Sequence, residues 1–238
     1  MATKISVYKN SARKEYDITD EKREAYRKIS QDSRLAKIIA QQCLHERVHE
    51  VNVPRLDPDD VMPQINRHDL STLSLFSGGG GLDLGFDRAG YKHLASYELI
   101  PICKETLTLN RPDWTIFGGP DEGDVTKINW KFYEDQVDVI HGGPPCQPFS
   151  IAGEQKGLAD ERNMWGEFNR AVKTIKPRVF VAENVLGLLN PKFHDFVKQF
   201  ILNELAAYSI VRFEMDASDY GVPQVRRRVF FVGFRDRT

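Results

Sequence analysis

From residue 71 onward the chain alternates short apolar runs with helix-spaced stretches, and that alternation leaves few folds open. The runs "TLSLF" (72–76), "HLASY" (93–97), "VDVI" (137–140), "RVFVA" (178–182), "SIVRFEM" (209–215) and "RVFFVGF" (228–234) predict strands. Between them "LDLGFDRAG" (82–90), "PICKETLTLN" (101–110), "MWGEFNRAVKTI" (164–175) and "PKFHDFVKQFILNELAAY" (191–208) predict helices. Apolar strands separated by helices call for a mostly parallel sheet covered by helices on both faces, an α/β fold. Residues 1–70 read differently. They are glycine-free up to residue 70 and carry one helical stretch, "DEKREAYRKISQDSRLAKIIAQQCLHE" (20–46), then a proline-bearing strap. The expected organisation is an N-terminal helical extension and linker over 1–70, followed by one α/β domain over 71–238.

Hydrophobic residues make up 41% of the 238 and charged residues 28%, the balance of a globular protein. The formal net charge of −1 neither demands nor excludes a nucleic-acid partner, so any polyanion site must come from local clustering. No apolar run approaches the ~18 residues that span a bilayer. The N-terminus is too polar for a secretory signal, which predicts a cytoplasmic protein with no membrane partner. Cys43, Cys103 and Cys146 form no C-x-x-C pair, so neither a disulfide framework nor a metal site is expected.

Open α/β sheets gather their ligands at the carboxyl ends of the strands, and the unusual residues of this chain fall there one after another. Four glycines follow "TLSLF", Glu98 follows "HLASY", and Asp124 follows a weakly marked strand. "HGGPPCQPFS" follows "VDVI", Glu183 and Asn184 follow "RVFVA", and "DYGVPQVRRR" follows "SIVRFEM". The glycine run alone is an ordinary tight turn. Glu98 lies 20 residues beyond Gly78, the spacing at which a carboxylate reaches a nucleotide ribose. Asp124 has the chemistry to accept from an adenine amino group. The run matches neither G-x-G-x-x-G nor a G-K-[ST] cradle, which favours an adenosyl ligand without a pyrophosphate.

Cys146 sits behind two glycines and two prolines, a rigid turn poor in donors. By itself it reads first as a small buried hydrophobe and only second as a nucleophile, and a hydrolase dyad with His141 or His194 has no spacing in its favour. Glu183 by itself reads as a carboxylate in the turn before the next helix. Arg226 and Arg228 should share one strand face and Arg227 the other, placing two guanidiniums beside a cleft for an anionic or carbonyl-rich substrate.

Together these segments resemble the cytosine-5 DNA methyltransferases. "LFSGGGGLDLGF" looks like that family's first motif, and Glu98 and Asp124 match its second and third. "GGPPCQPFSIAG" resembles the nucleophile motif, "GEQKGLADERN" the mobile loop after it, "ENVLGLL" the catalytic glutamate motif, and "DYGVPQVRRRVFFVGFR" the Q-x-R-x-R motif. The resemblance implies a Rossmann-like fold that takes S-adenosylmethionine and double-stranded DNA. Cys146 would attack C6 of a flipped-out cytosine, Glu183 would hold N3 and the exocyclic amine, and Arg228 and Arg226 would hold the base carbonyl and nearby backbone. Phe76, Gly78, Gly79 and Gly81 would line the methionine end of the cofactor, Glu98 its ribose, and Asp124 and Val125 its adenine. Pro145 and Trp165 would lie near the methyl donor.

Family members usually continue past the arginine strand into a target-recognition region and a last motif, whereas this sequence stops at Thr238. The expectation is a catalytic subunit of a bacterial or archaeal restriction-modification system, served by a second chain carrying target recognition. A rearranged or truncated member, a transfer-RNA cytosine methyltransferase and an inactive regulatory subunit are the alternatives.

Overall fold

The computed structural model describes residues 6–9, 19–42, 63–145 and 164–235. The described residues form two compact units, one holding Ser6–Lys9 with everything from Gln64 onward, the other the helix α1 (Asp20–Gln42). α1 begins with Asp20 and Glu21, whose charges suit the positive end of a helix dipole. Ile29, Leu35, Ile38 and Ile39 along it are solvent-exposed. No helix among the described residues is long and apolar enough to cross a membrane.

The larger unit is built on an eight-stranded sheet in the order β1-β7-β8-β6-β5-β2-β3-β4. Its strands are β1 (Ser6–Lys9), β2 (Ser71–Leu75), β3 (Lys92–Glu98), β4 (Ile116–Gly118), β5 (Val139–Gly142), β6 (Val179–Val185), β7 (Tyr208–Asp216) and β8 (Arg227–Arg235). β8 runs antiparallel to both β6 and β7, and the other pairings are parallel. β2 and β5 are buried throughout, which is why they read as apolar runs in the sequence. The strand β1 was not expected: the stretch read as part of a helical extension pairs with β7 from Ser6 opposite Val211 to Lys9 opposite Glu214. Four residues carry too weak an alternation to signal a strand locally, and only the free edge of β7 defines it.

Helices α2 (Gly81–Arg88), α3 (Pro101–Asn110) and α4 (Trp165–Ile175) match the sequence expectation closely. α4 buries Trp165, Phe168, Asn169, Ala171, Val172 and Ile175, the spacing of a single helical face. It ends where Lys176 turns left-handed at φ 55° and donates its N–H to the Val172 carbonyl. The expected helix over 191–208 is less regular. It opens as a 3-10 turn (Pro191–Phe193), passes through one α-turn (His194–Phe196) and winds as a π-helix over Val197–Asn203. Midway, the Phe200 carbonyl accepts Nδ2 of Asn169 at 2.6 Å. The core runs under the sheet through Leu73, Leu75, Ile140, Phe180, Ala182, Phe168, Val172 and Phe231.

Candidate active site

The turn from β2 into α2 takes three left-handed residues in close succession: Phe76 (φ 56°), Gly78 (φ 55°) and Gly80 (φ 84°). Left-handed backbone costs a side-chain-bearing residue energy, so Phe76 marks a place where the surroundings dictate the conformation. A Cβ placed on Gly78, Gly79 or Gly81 would meet nothing within 4 Å, so these glycines border open space and not packed neighbours.

Glu98 ends β3 beside this turn and is buried, 6% exposed. Its Oε2 accepts the Gly78 N–H at 2.6 Å and its Oε1 the Ile100 N–H at 2.8 Å. Pro101, at the first position of α3, has no N–H to compete for that carboxylate. The spacing of 20 residues between Gly78 and Glu98 is therefore realised as a direct contact. Gly123 packs so tightly on the same strand end that a Cβ there would lie 2.1 Å from the Glu98 carbonyl oxygen. This close approach brings Asp124, the next residue, to the end of β3. Asp124 caps a 3-10 turn (Val125–Lys127), its Oδ1 accepting Thr126 N at 3.0 Å and Thr126 Oγ1 at 2.7 Å. The Thr126 hydroxyl bond, with Lys127 nearby, holds its carboxyl below the usual carboxylate range. Val125 is buried in the core and offers its carbonyl to Arg170 at 2.6 Å.

Beneath the glycine turn lies a layer of buried polar groups. Ser96 Oγ donates to Asp83 Oδ1 at 2.6 Å and lies 2.7 Å from His93 Nε2, while Ser77 Oγ donates to Ser74 Oγ at 2.8 Å. Burial raises the Asp83 carboxyl pKa and lowers that of His93 to about 4. His141, in β5, is fully buried, stacked 4.2 Å from Phe86, and burial lowers its pKa to about 3. The ring is a core side chain.

A cleft of about 490 Å³ opens at the carboxyl ends of β2, β5 and β6, lined among others by Phe76, Gly81, Gly143, Glu183, Arg226, Arg228 and Phe230. Five of the expected site residues thus meet there: Phe76, Gly81, Glu183, Arg226 and Arg228. Glu183 lies within β6, opposite Phe230 of β8, and not in the turn where an isolated reading would put it. Arg228 stands two positions before Phe230, on the diagonal, and its Nε reaches Glu183 Oε1 at 2.7 Å. Arg226, just before β8, lines the same cleft, whereas Arg227, the first residue of β8, turns to Asp216 Oδ2 at 3.4 Å. Asp216 also accepts the Arg226 N–H at 3.0 Å and the Ser218 N–H at 3.3 Å, tying the β7–β8 connection together.

The second Glu183 oxygen faces the turn that follows β5: a Cβ on Gly143 would sit 3.1 Å from Oε2. On the same turn Pro144 gives its carbonyl to Asn184 Nδ2 at 3.1 Å. Pro145 is the last described residue before Cys146, and Cys146 with the loop from Gln147 to Arg162 lies outside the described residues. Trp165 does not line the cleft. It is fully buried, edge-on to Phe168 at 5.9 Å and Phe231 at 6.0 Å, in the position of a core residue. Sequence reasoning missed Phe230, Met215 and Tyr220 on the cleft wall. Phe230 was within reach, since it follows Arg228 by two along a strand. The other two depend on how β7 pairs with β8.

A family model for C-5 cytosine-specific DNA methylase matches residues 70–238. The Type II methyltransferase M.NgoMIV of Neisseria gonorrhoeae is 41% identical over 171 residues, which cover 70% of this chain and 52% of that protein. M.AquIA of Picosynechococcus sp. is 38% identical over 181 residues, 68% of this chain and 71% of that one. Among solved structures, an E. coli prophage protein described as a DNA modification methyltransferase superposes with a TM-score of 0.58 at 32% identity. That alignment covers 71% of this chain and 49% of the solved one, so the chain spans about half the length of two of these three. The sheet with its flanking helices is the Rossmann-like methyltransferase fold expected from the sequence.

Proposed function

The chain belongs to the C-5 cytosine-specific DNA methylase family, and from that premise we propose that its cleft methylates C5 of cytosine in double-stranded DNA, within a restriction-modification system. The observation that carries this reading is the Glu183–Arg228 pair. One carboxylate oxygen is held by the guanidinium at 2.7 Å, and the other is turned toward the loop that leads to Cys146. A pyrimidine ring flipped into the cleft would meet an acid for N3 and the exocyclic amine beside donors for its carbonyl.

The residues fit S-adenosylmethionine on two counts. Open space lies over Gly78, Gly79 and Gly81 where side chains would otherwise intrude, and Glu98 is fixed by two backbone N–H groups with lone pairs left for ribose hydroxyls. When bound, the cofactor supplies an electrophilic methyl group. Cys146, as thiolate, adds to C6 and makes C5 nucleophilic. Glu183 carries the proton at N3 as charge develops on the ring. After methylation a base takes the C5 proton, the C5–C6 double bond reforms and the sulfur leaves. Pro144, anchored by Asn184, holds the start of the nucleophile turn in place, a positional contribution to rate. In this reading a second chain reads the DNA sequence.

The test is covalent trapping. In a pool of duplexes with 5-fluorocytosine for cytosine, fluorine replaces the proton that must leave, so the adduct cannot resolve. With S-adenosylmethionine present, a denaturant-stable protein–DNA band is expected, and it should vanish in Cys146→Ala. A band of equal intensity from Cys146→Ala would remove Cys146 from the mechanism.

A further inference from the structure

Arg170 belongs to none of the motifs above, yet it makes the densest set of polar contacts around the cofactor half of the site. It projects from α4, where its Nε and Nη2 both lie 2.7 Å from Glu167 Oε2. Its Nη1 donates to the Ile128 carbonyl at 2.9 Å and its Nη2 to the Val125 carbonyl at 2.6 Å. Its Cζ stands 5.9 Å from the centroid of the buried Trp130 ring. One guanidinium thus grips the first residue of the 3-10 turn Val125–Lys127 and the residue just beyond its end. A planar fork presents fixed donors to two carbonyls at once, a geometry that the single nitrogen of a lysine does not reproduce.

The turn is held at its start by Lys127 N–H, which donates to the Asp124 carbonyl at 3.0 Å. Its closing backbone bond, Ile128 N–H to Val125 carbonyl, is long at 3.4 Å. Asp124 depends on that turn for its orientation, because both bonds to its Oδ1 come from Thr126 inside it. The other oxygen, Oδ2, lies 3.8 Å from Lys127 Nζ, which donates instead to the Pro120 carbonyl at 2.7 Å. Oδ2 is therefore the oxygen placed to meet a ligand amino group.

We infer that Arg170 is a positioning residue for the adenine end of the cofactor: by clamping the Val125 and Ile128 carbonyls it aims Asp124 Oδ2 at the exocyclic amine. This rests on the cofactor reading above. Arg170 touches neither cofactor nor substrate, and its effect passes entirely through the turn.

The experiment titrates the full chain by calorimetry with S-adenosylhomocysteine and with S-inosylhomocysteine, whose base bears a carbonyl in place of the amine. Wild type should prefer the adenosyl ligand by about tenfold or more, the difference between a satisfied and an opposed carboxylate. Arg170→Gln should bind the adenosyl ligand about tenfold more weakly and the inosyl ligand nearly as before, so that the preference collapses. Arg170→Lys, able to hold one carbonyl, should fall between, and it carries the same comparison if Arg170→Gln does not fold. A merely structural role would lower the unfolding temperature and weaken both ligands equally; an unchanged preference in both variants overturns the inference. A wild type that binds neither ligand overturns the cofactor reading itself, and one that binds both alike overturns the contact between Asp124 and adenine.

Discussion

Glu98→Ala separates two jobs that one carboxylate performs. In the free protein it satisfies the N–H groups of Gly78 and Ile100 at 2.6 and 2.8 Å, in a site only 6% exposed. Leaving two such donors unpaired costs about 1–3 kcal/mol each, so roughly 2–6 kcal/mol of stability should go. For a chain of this size each kcal/mol moves the unfolding midpoint by about 2–4 °C, which puts the expected drop at about 4–24 °C. In the complex the same carboxylate would take ribose hydroxyls. Losing hydrogen bonds to a charged group costs about 1.5–3 kcal/mol, or roughly 10- to 150-fold in cofactor affinity. Glu98→Gln keeps one acceptor but turns a second donor toward an N–H, so it should lie between wild type and alanine in stability. Scanning calorimetry reads the first effect and ligand titration the second, carried out below the midpoint of the variant. Unchanged stability would refute the claim that Glu98 pins the glycine turn. Unchanged affinity with the expected loss of stability would refute the ribose contact and leave Glu98 as a purely structural anchor.

Two further outcomes follow from burial and close packing. Gly142 faces Leu75 across the β2–β5 pair, where a Cβ would lie 2.4 Å from the Leu75 carbonyl oxygen, so Gly142→Ala must push these central strands away from each other. A loss of about 1–3 kcal/mol in chemical unfolding is expected, and a neutral result would mean the strands separate freely there. His141 titrates at about 3 in the folded chain against an ordinary value of 6.5, so below pH 6.5 the unfolded chain binds a proton that the folded chain refuses. Its contribution to stability is fully present above that pH and lost as pH falls toward 3, at about 1.4 kcal/mol per pH unit. His141→Leu should flatten the stability profile between about pH 6 and 4.5 by about that slope; an unaltered profile would show that the ring accepts its proton in the folded state.

The order of strands and helices in the larger unit was open to reading because each signal is local. A strand buried on both faces must be apolar along its length, and a helix facing the sheet must repeat its apolar residues every three or four positions. The candidate residues were legible for a related reason: ligand sites gather at one edge of such a sheet, so glycines, acids and a cysteine recurring at successive strand ends stand out against the pattern. The alternation of Arg227 and Arg228 was legible too, since side chains in a strand alternate whatever the fold. None of these signals names a partner. That β8 slots antiparallel between β6 and β7, that Ser6–Lys9 closes on β7, and that Arg228 meets Glu183 all follow from pairings between segments far apart in the chain. Trp165 shows the cost of that gap, because its motif neighbourhood pointed to the cofactor while packing against Phe168 and Phe231 put it in the core. Arg170 shows the reverse: an ordinary helical arginine in the sequence, it becomes a clamp only because α4 lies against the Val125–Lys127 turn. Local residue types decide what each segment can be, and the shared burial of segments distant in sequence decides which side chains finally meet.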